Sequence, residues 1–311
     1  MSEPTAPQRL LQFAEQVRVP EALSQEGLAA RFGAPDDVEV RVGQVWRACW
    51  NEISALLLVT EVQDLTIDGV PVTLDLPAAP DRGIVINGSF TAFGLDAMAW
   101  SSLSERFPLR ILDQVVDSWP DEVVDEIRRR PADSPTQPGS WSDEVIWAEL
   151  TDDLAELRAV PTLPIEVAGE KGTPLQSLLG PGLDLRSLVT ALLPIGYSQP
   201  DVMALLHGKK PLSPQAADVV AKVTGIDRRD VEAAVVAMPR GFAAEVDHPR
   251  WRRVWRRRAE QRGVDEATAR LEGGYEYFVR AARETGSGPV DWRARLAQYF
   301  QREEQERKSN G

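Results

Sequence analysis

Residues 185–236 read LRSLVTALLPIGYSQPDVMALLHGKKPLSPQAADVVAKVTGIDRRDVEAAVV. This stretch predicts four short helices in tight series. Leu185 to Leu193 is the first, and Pro194-Ile195-Gly196-Tyr197 makes a turn. Ser198 suits the next N-cap, because its side-chain oxygen accepts from an orphan backbone N–H. Gln199 to Leu206 is the second helix, with Pro200 in the first turn, where a missing N–H costs nothing. His207-Gly208-Lys209-Lys210-Pro211 stops it. Ser213 caps a third helix, again with a proline, Pro214, in its first turn, and Gly225 ends it. Asp227 starts a fourth that reaches Val236. The unit 185–206, two helices with a glycine in the turn, is a helix-turn-helix pattern. Its second helix turns Val202, Leu205 and Leu206 inward and Gln199, Met203 and His207 outward.

The run YSQPDVMALLHGKKPLSPQAADVVAKVTGIDRRDVEAAV resembles the Cro-type (XRE) repressor domain, closest in style to the HigA-type antitoxin version. That family shows a short recognition helix, a Gly-Lys turn and a Ser-Pro-capped helix ending in glycine. The resemblance covers roughly 173–238, under a quarter of the chain. It implies a cytoplasmic bacterial regulator that binds double-stranded DNA as a homodimer. By position, it places Ser198, Gln199 and Met203 at the DNA and Lys209 and Lys210 at phosphate. A glutamine amide reads adenine through two hydrogen bonds, and a lysine adds salt-sensitive affinity. His207 is a further expected contact, to phosphate; as an exposed helix end it also suits the helix dipole. Three features depart from the family. The Pro194-Ile195 turn looks a residue long, the recognition helix has no Arg or Lys of its own, and Asp201 repels phosphate. A helical core with no role at DNA, serving as a protein-interaction adaptor, is the alternative.

Charge divides the 311-residue chain. Residues 1–170 carry 12 Arg, no Lys and 30 acids, a net of −18; residues 171–242 carry +2 and residues 243–311 carry +3. The first half repels nucleic acid, so any nucleic-acid contact lies after about Lys171. The acidic half also reads simply as a soluble surface.

The first half changes pattern several times. Residues 6–33 read as helix, ended by Gly33 and Pro35. Val38, Val40 and Val42 alternate with Glu39 and Arg41 as in a strand, and residues 45–50 and 54–62 continue in extended style. Asp68-Gly69, between Thr66-Ile67 and Val70 to Leu74, predicts a tight hairpin turn. Residues 83–87 give another strand. Some five short strands in about 75 residues predict a small barrel or a strongly bent sheet. Residues 120–130 are a helix with a solvated, ion-paired face, and 131–139 (PADSPTQPG) a linker. Trp141 to Leu157 is an acidic amphipathic helix, and Val160 to Pro174 a second linker.

Residues 41–116 are similar, faintly, to the MazF/PemK-like barrels. Arg41-Val42-Gly43-Gln44-Val45-Trp46, Val70-Pro71-Val72-Thr73 and Ala92-Phe93-Gly94-Leu95-Asp96 carry the likeness. Those toxins are ribonucleases that place an Arg and a Thr at the scissile phosphate. Thr73 is present by position, but the strand Ile53-Ser54-Ala55-Leu56-Leu57 that should bring the Arg has none. Without a cation the developing charge has no stabiliser. A sensing barrel, receiving a partner protein or a small ligand, is therefore expected, with ribonuclease activity as a distant third reading.

Near the C-terminus, Pro249-Arg250-Trp251-Arg252-Arg253-Val254-Trp255-Arg256-Arg257-Arg258 places Trp251, Val254, Trp255 and Arg258 on one helical stripe. Arg252, Arg253, Arg256 and Arg257 then spread over the solvent side, either as a phosphate-binding face or paired with nearby acids. Two more helices, about 265–284 and 290–307, bring Tyr275, Tyr277, Phe278, Trp292, Tyr299 and Phe300 to a helical core or dimer interface.

The residue inventory is poor in chemistry. Two histidines, His207 and His248, and the lone Cys49 argue against a His-rich or Cys-rich metal site and a Cys-His nucleophile pair. No phosphate-cradling glycine motif and no nucleophile elbow occurs. No enzymatic activity, cofactor or metal is expected, and neither a secretory signal nor a membrane span is read. The expected architecture is α+β. An acidic barrel-like domain with N-terminal helices spans 1–130, a linker with the acidic helix 131–172, the helix-turn-helix domain 173–241, and a basic helical region 242–311.

Overall fold

The computed structural model describes residues 21–34, 37–76, 83–129, 141–166, 175–208, 210–234, 237–281 and 290–310. The fold is α+β, and the chain divides into two compact units at Val160/Pro161. Residues 1–20, the proline-rich stretch 131–139 and Lys209 lie outside the described residues.

In the first unit, a turn of 3-10 helix and α1 (Gln25–Phe32) precede seven strands: β1 (Gln44–Trp50), β2 (Ile53–Val62), β3 (Thr66–Thr73), β4 (Ile84–Ile86), β5 (Ala97–Ala99), β6 (Glu105–Pro108) and β7 (Leu112–Ser118). Helices α2 (Asp121–Arg129) and α3 (Trp141–Arg158) follow. The sheet is antiparallel, in the order β4-β5-β3-β2-β1-β7, with β6 also on β3.

The expected barrel is an open sheet. Strand β3 divides one edge between two partners, β6 along Thr66–Gly69 and β5 at Val72 and Thr73. The change of partner falls at Pro71, which has no N–H to give; its carbonyl accepts from Trp100 N–H at 2.9 Å. Beyond it, β4 and β5 are three residues each, and the ladder ends. Both faces of the sheet are nevertheless covered. Trp46, Ala48, Leu57 and Val59 pack with Phe107 and with Leu154 and Leu157 of α3. Val45, Leu58, Val70 and Val72 pack with Val124 and Ile127 of α2. A strand buried on both sides loses its alternation, which is why Leu56 to Val59 reads as a continuous apolar run.

Two local expectations fail for tertiary reasons. Asp68 and Gly69 do not make a turn; they sit in mid-β3, paired with Arg106 and Glu105 of β6. Asp68 Oδ1 accepts from Arg106 Nε at 2.8 Å, and a Cβ at Gly69 would stand 3.3 Å from the Phe107 ring. Here glycine serves a close approach and not a positive φ. The chain reverses instead at Gln63 to Thr66, where Gln63 N–H donates to Thr66 O at 2.8 Å. Residues 38–41 are not a strand either. Val38 is a buried plug under the sheet, with Val40 packed beside it.

The acidic helix 141–157 is α3, and its Leu154 and Leu157 belong to the core of the first unit. Part of the stretch expected as a second linker is also held. In the second unit, Ile165 bridges Met238 in parallel, with Glu166 N–H donating to Met238 O and Met238 N–H to Pro164 O, both at 2.9 Å.

The second unit is helical: α4 (Leu175–Leu179), α5 (Leu185–Leu192), α6 (Gln199–Leu206), α7 (Pro214–Thr224), α8 (Arg228–Ala233), α9 (Arg240–Asp247), α10 (Arg252–Arg262), α11 (Glu266–Ala281) and α12 (Trp292–Asn310). It has a bundle of α4 to α8 around Leu188, Leu192, Val202, Leu205, Ala217, Val220 and Val231. Helices α9 to α12 build an aromatic core. Phe242 lies 5.5 Å from Tyr277 and 5.1 Å from Trp292, and Trp255 lies 5.1 Å from Phe300. Among the described residues no helix is long and apolar enough to cross a membrane.

Candidate nucleic-acid interface

The two helices of the expected motif form where the sequence places them. Asp184 caps α5, its Oδ1 accepting from Arg186 N–H at 3.0 Å. These bonds, led by that from the Ser187 hydroxyl, hold the Asp184 carboxyl below its usual range. The chain leaves α5 through a short 3-10 turn, and Gly196, at φ 88°, reverses it in the left-handed region. No atom crowds that position, so the glycine is there for its backbone.

Ser198 then opens α6 with a reciprocal cap. Its Oγ accepts from Asp201 N–H at 3.4 Å, and Asp201 Oδ2 accepts from Ser198 N–H at 2.9 Å. The signal was in the sequence, since Ser-x-x-Asp is the capping pattern. Asp201 Oδ1 also accepts from Lys210 Nζ at 2.9 Å, nine residues on. Hydrogen bonds from the Ser198 hydroxyl and from Lys210 pull the Asp201 carboxyl down to about 2. The Lys210 ammonium lies 5.0 Å from the centre of the Tyr197 ring, and the Tyr197 hydroxyl donates to Ser213 Oγ, the cap of α7, at 3.2 Å.

The sequence-derived contact residues therefore separate into groups. Ser198 and Gln199 are exposed at the N-terminus of α6, and Lys210 is brought to the same end by Asp201. His207 is exposed as the C-cap of α6, about 12 Å away at 1.5 Å per residue. Met203 is only partly outward: it packs against the bundle core. The phosphate-repelling role expected of Asp201 is moderated, because its charge is matched by Lys210 within the protein. For the same reason Lys210 is not an unmatched cation.

The arginine-rich segment resolves toward pairing. Arg252, expected on the solvent side, is buried, with Nε 3.4 Å from Glu266 Oε2. Arg256 reaches the same carboxylate at 3.2 Å, and Arg257 reaches Glu304 at 3.5 Å. On the inward stripe, Trp255 is fully buried and its Nε1 donates to Val246 O at 3.0 Å. Arg258 is buried beside it, paired with Glu276 and Glu303. The pairs cross between helices, so only tertiary packing decides them.

In the first unit, the Thr73 hydroxyl donates to Asp75 O at 2.9 Å and accepts from Trp100 Nε1 at 2.9 Å. Its one proton is committed to the backbone, a structural use that gives the ribonuclease reading no support. Among the described residues, no group of three or more His, Cys, Asp or Glu side chains is placed to hold a metal ion. Comparison with family models, with curated proteins and with solved structures finds no match to this chain.

Proposed function

We propose that the protein is a DNA-binding regulator that presents α6 to the major groove of double-stranded DNA. The observation that carries this reading is the split character of α6. Val202, Leu205 and Leu206 anchor it in the bundle, while its capped N-terminus exposes Ser198 and Gln199. A short helix held from behind, with a glutamine at its leading end, suits base-edge readout. A homodimer would set two such helices about 34 Å apart, one turn of the duplex. The acidic first unit takes the role of a sensing module for a partner protein or small ligand.

A second reading is favoured by the Asp201–Lys210 pair and by Met203. A neutralised lysine and a half-buried methionine beside an exposed helix end suit a protein partner as well as a phosphate backbone. Selection of bound fragments from sheared genomic DNA by the full-length protein separates the two. Under the DNA reading a motif is recovered, and Gln199→Ala relaxes it at one base position, a loss of about 1–3 kcal/mol of discrimination. Asp201→Asn leaves Lys210 unmatched, so binding to all sequences tightens and the salt slope steepens by roughly one phosphate's worth. No enrichment across a wide range of salt would sink the DNA reading and leave the adaptor.

A further inference from the structure

The cations of α10 and α11 are matched almost one by one. Arg252, Arg256, Arg258, Arg262 and Arg270 each reach a carboxylate on a neighbouring turn or helix. Among the described residues Arg253, on the exposed face of α10, and three further arginines break this pattern, and those three share one place. Arg280, in the last turn of α11, and Arg295 and Arg302, on one face of α12, line a cleft of about 140 Å³ floored by Tyr277 and Tyr299. Among the described residues none of the three makes an ion pair.

We propose that this cleft binds a small phosphorylated ligand through its phosphoryl groups. Arg295 points to it most directly. Its Nη1 is removed from solvent and has no hydrogen-bond acceptor among the described residues, an arrangement that is unfavourable until an acceptor arrives. Its guanidinium lies 5.9 Å from the Trp292 ring centre, and that of Arg280 lies 5.5 Å from the Tyr299 ring centre. Aromatic faces of this kind hold guanidinium planes in place before a ligand binds.

The acids of the cleft do not cancel this charge. Glu303 is spent on the protein, its Oε2 accepting from Arg258 at 3.1 Å and its Oε1 from the Tyr299 hydroxyl at 3.3 Å. Among the described residues that line the cleft, Glu306 is the one other acid, so the three arginines keep an excess of two positive charges there. A single carboxylate leaves one cation unmatched, whereas a diphosphate supplies both the charge and the oxygens for guanidinium forks. The cleft is also smaller than the roughly 300–1,000 Å³ that encloses a drug-sized ligand, so it takes the phosphoryl end of a molecule and not the whole of it.

The inference is independent of the role assigned to α6. Inorganic pyrophosphate titrated into the full-length protein at low salt is the probe, read by calorimetry. Saturable binding is expected, weakened about tenfold or more by Arg295→Gln and by Arg302→Gln, and unchanged by Arg253→Gln on the exposed face of α10. Arg302 is exposed, so its variant keeps the fold even where the Arg295 change does not, and circular dichroism checks both. Absence of binding, or equal weakening by Arg253→Gln, overturns the proposal. A third arm uses a short DNA duplex. If duplex binding needs Arg295 and Arg302 while pyrophosphate does not bind, the cleft grips a nucleic-acid backbone, and the small-ligand assignment is wrong.

Discussion

Replacing Arg270 with alanine is expected to destabilise the second unit by about 3–5 kcal/mol, the cost of removing one partner from a buried ion network. Arg270 is fully buried in α11. Its Nη2 reaches Glu266 at 2.6 Å, its Nη1 donates to Val246 O at 3.0 Å, and the buried Asp247 lies 3.9 Å away. Without it, two carboxylates lose a cation they cannot exchange for water. Chemical denaturation followed by tryptophan fluorescence measures the loss, and a change below 1 kcal/mol would mean that the cluster is solvated. Methionine at the same position should cost less than alanine, because it keeps the packing volume.

The same network gives the unit an acid limit. Burial alone would raise the Glu266 carboxyl, but Arg270, Arg252 and Arg256 together hold it below its ordinary value. Glu276 follows the same pattern, with burial outweighed by Arg262 and Arg258. Both groups titrate lower in the folded chain than in the unfolded one. Their contribution is therefore complete above the ordinary carboxylate range and is lost as pH falls through the lowered folded values. A denaturation series from neutral pH downward should show stability flat at first and then falling. In Arg270→Ala stability at neutral pH should be lower and the acid fall shallower, because Glu266 without that cation titrates closer to its unfolded value.

Asp117→Ala is the corresponding experiment in the first unit, with an expected cost of about 3 kcal/mol from the donors it strands. This carboxylate is buried at the end of β7 and accepts four bonds. Arg31 Nη2 and the Ala92 N–H donate at 2.7 Å, the Ser118 N–H at 2.8 Å and Trp119 Nε1 at 3.0 Å. It thus ties α1, the segment before β5 and the start of α2 to the sheet. Asp117→Asn keeps two or three of the bonds and should lose less than the alanine variant. If the two variants unfold alike, the charge itself is what the site requires.

What was legible in the chain was what neighbours decide. The caps at Ser198, Ser213 and Asp227, the glycine stops at Gly196 and Gly225, and the inward set Val202, Leu205 and Leu206 all lie within one or two turns of the groups they serve. Hence the helix series from Leu185 to Ala233 could be drawn from the sequence to within a few residues. The inward tryptophan stripe of 251–258 was legible for the same reason. Periodicity could not say whether the arginines between those tryptophans face phosphate or glutamate. Glu266, Glu276, Glu303 and Glu304 arrive from α11 and α12, up to 47 residues away.

The first unit shows the limit of local signals from the other side. Asp68-Gly69 has the composition of a turn, but a paired Arg106 and the ring of Phe107, both on β6, hold it straight. The open sheet, the two-sided burial of β2 and the capture of Lys210 by Asp201 are likewise contacts between residues that the chain separates. Helix ends and helix faces depend on hydrogen bonds and periods a few residues long, and the amino-acid order determines them by itself. Sheet closure, strand register and the partner of each charge depend on which distant segments meet, and only the tertiary structure decides those.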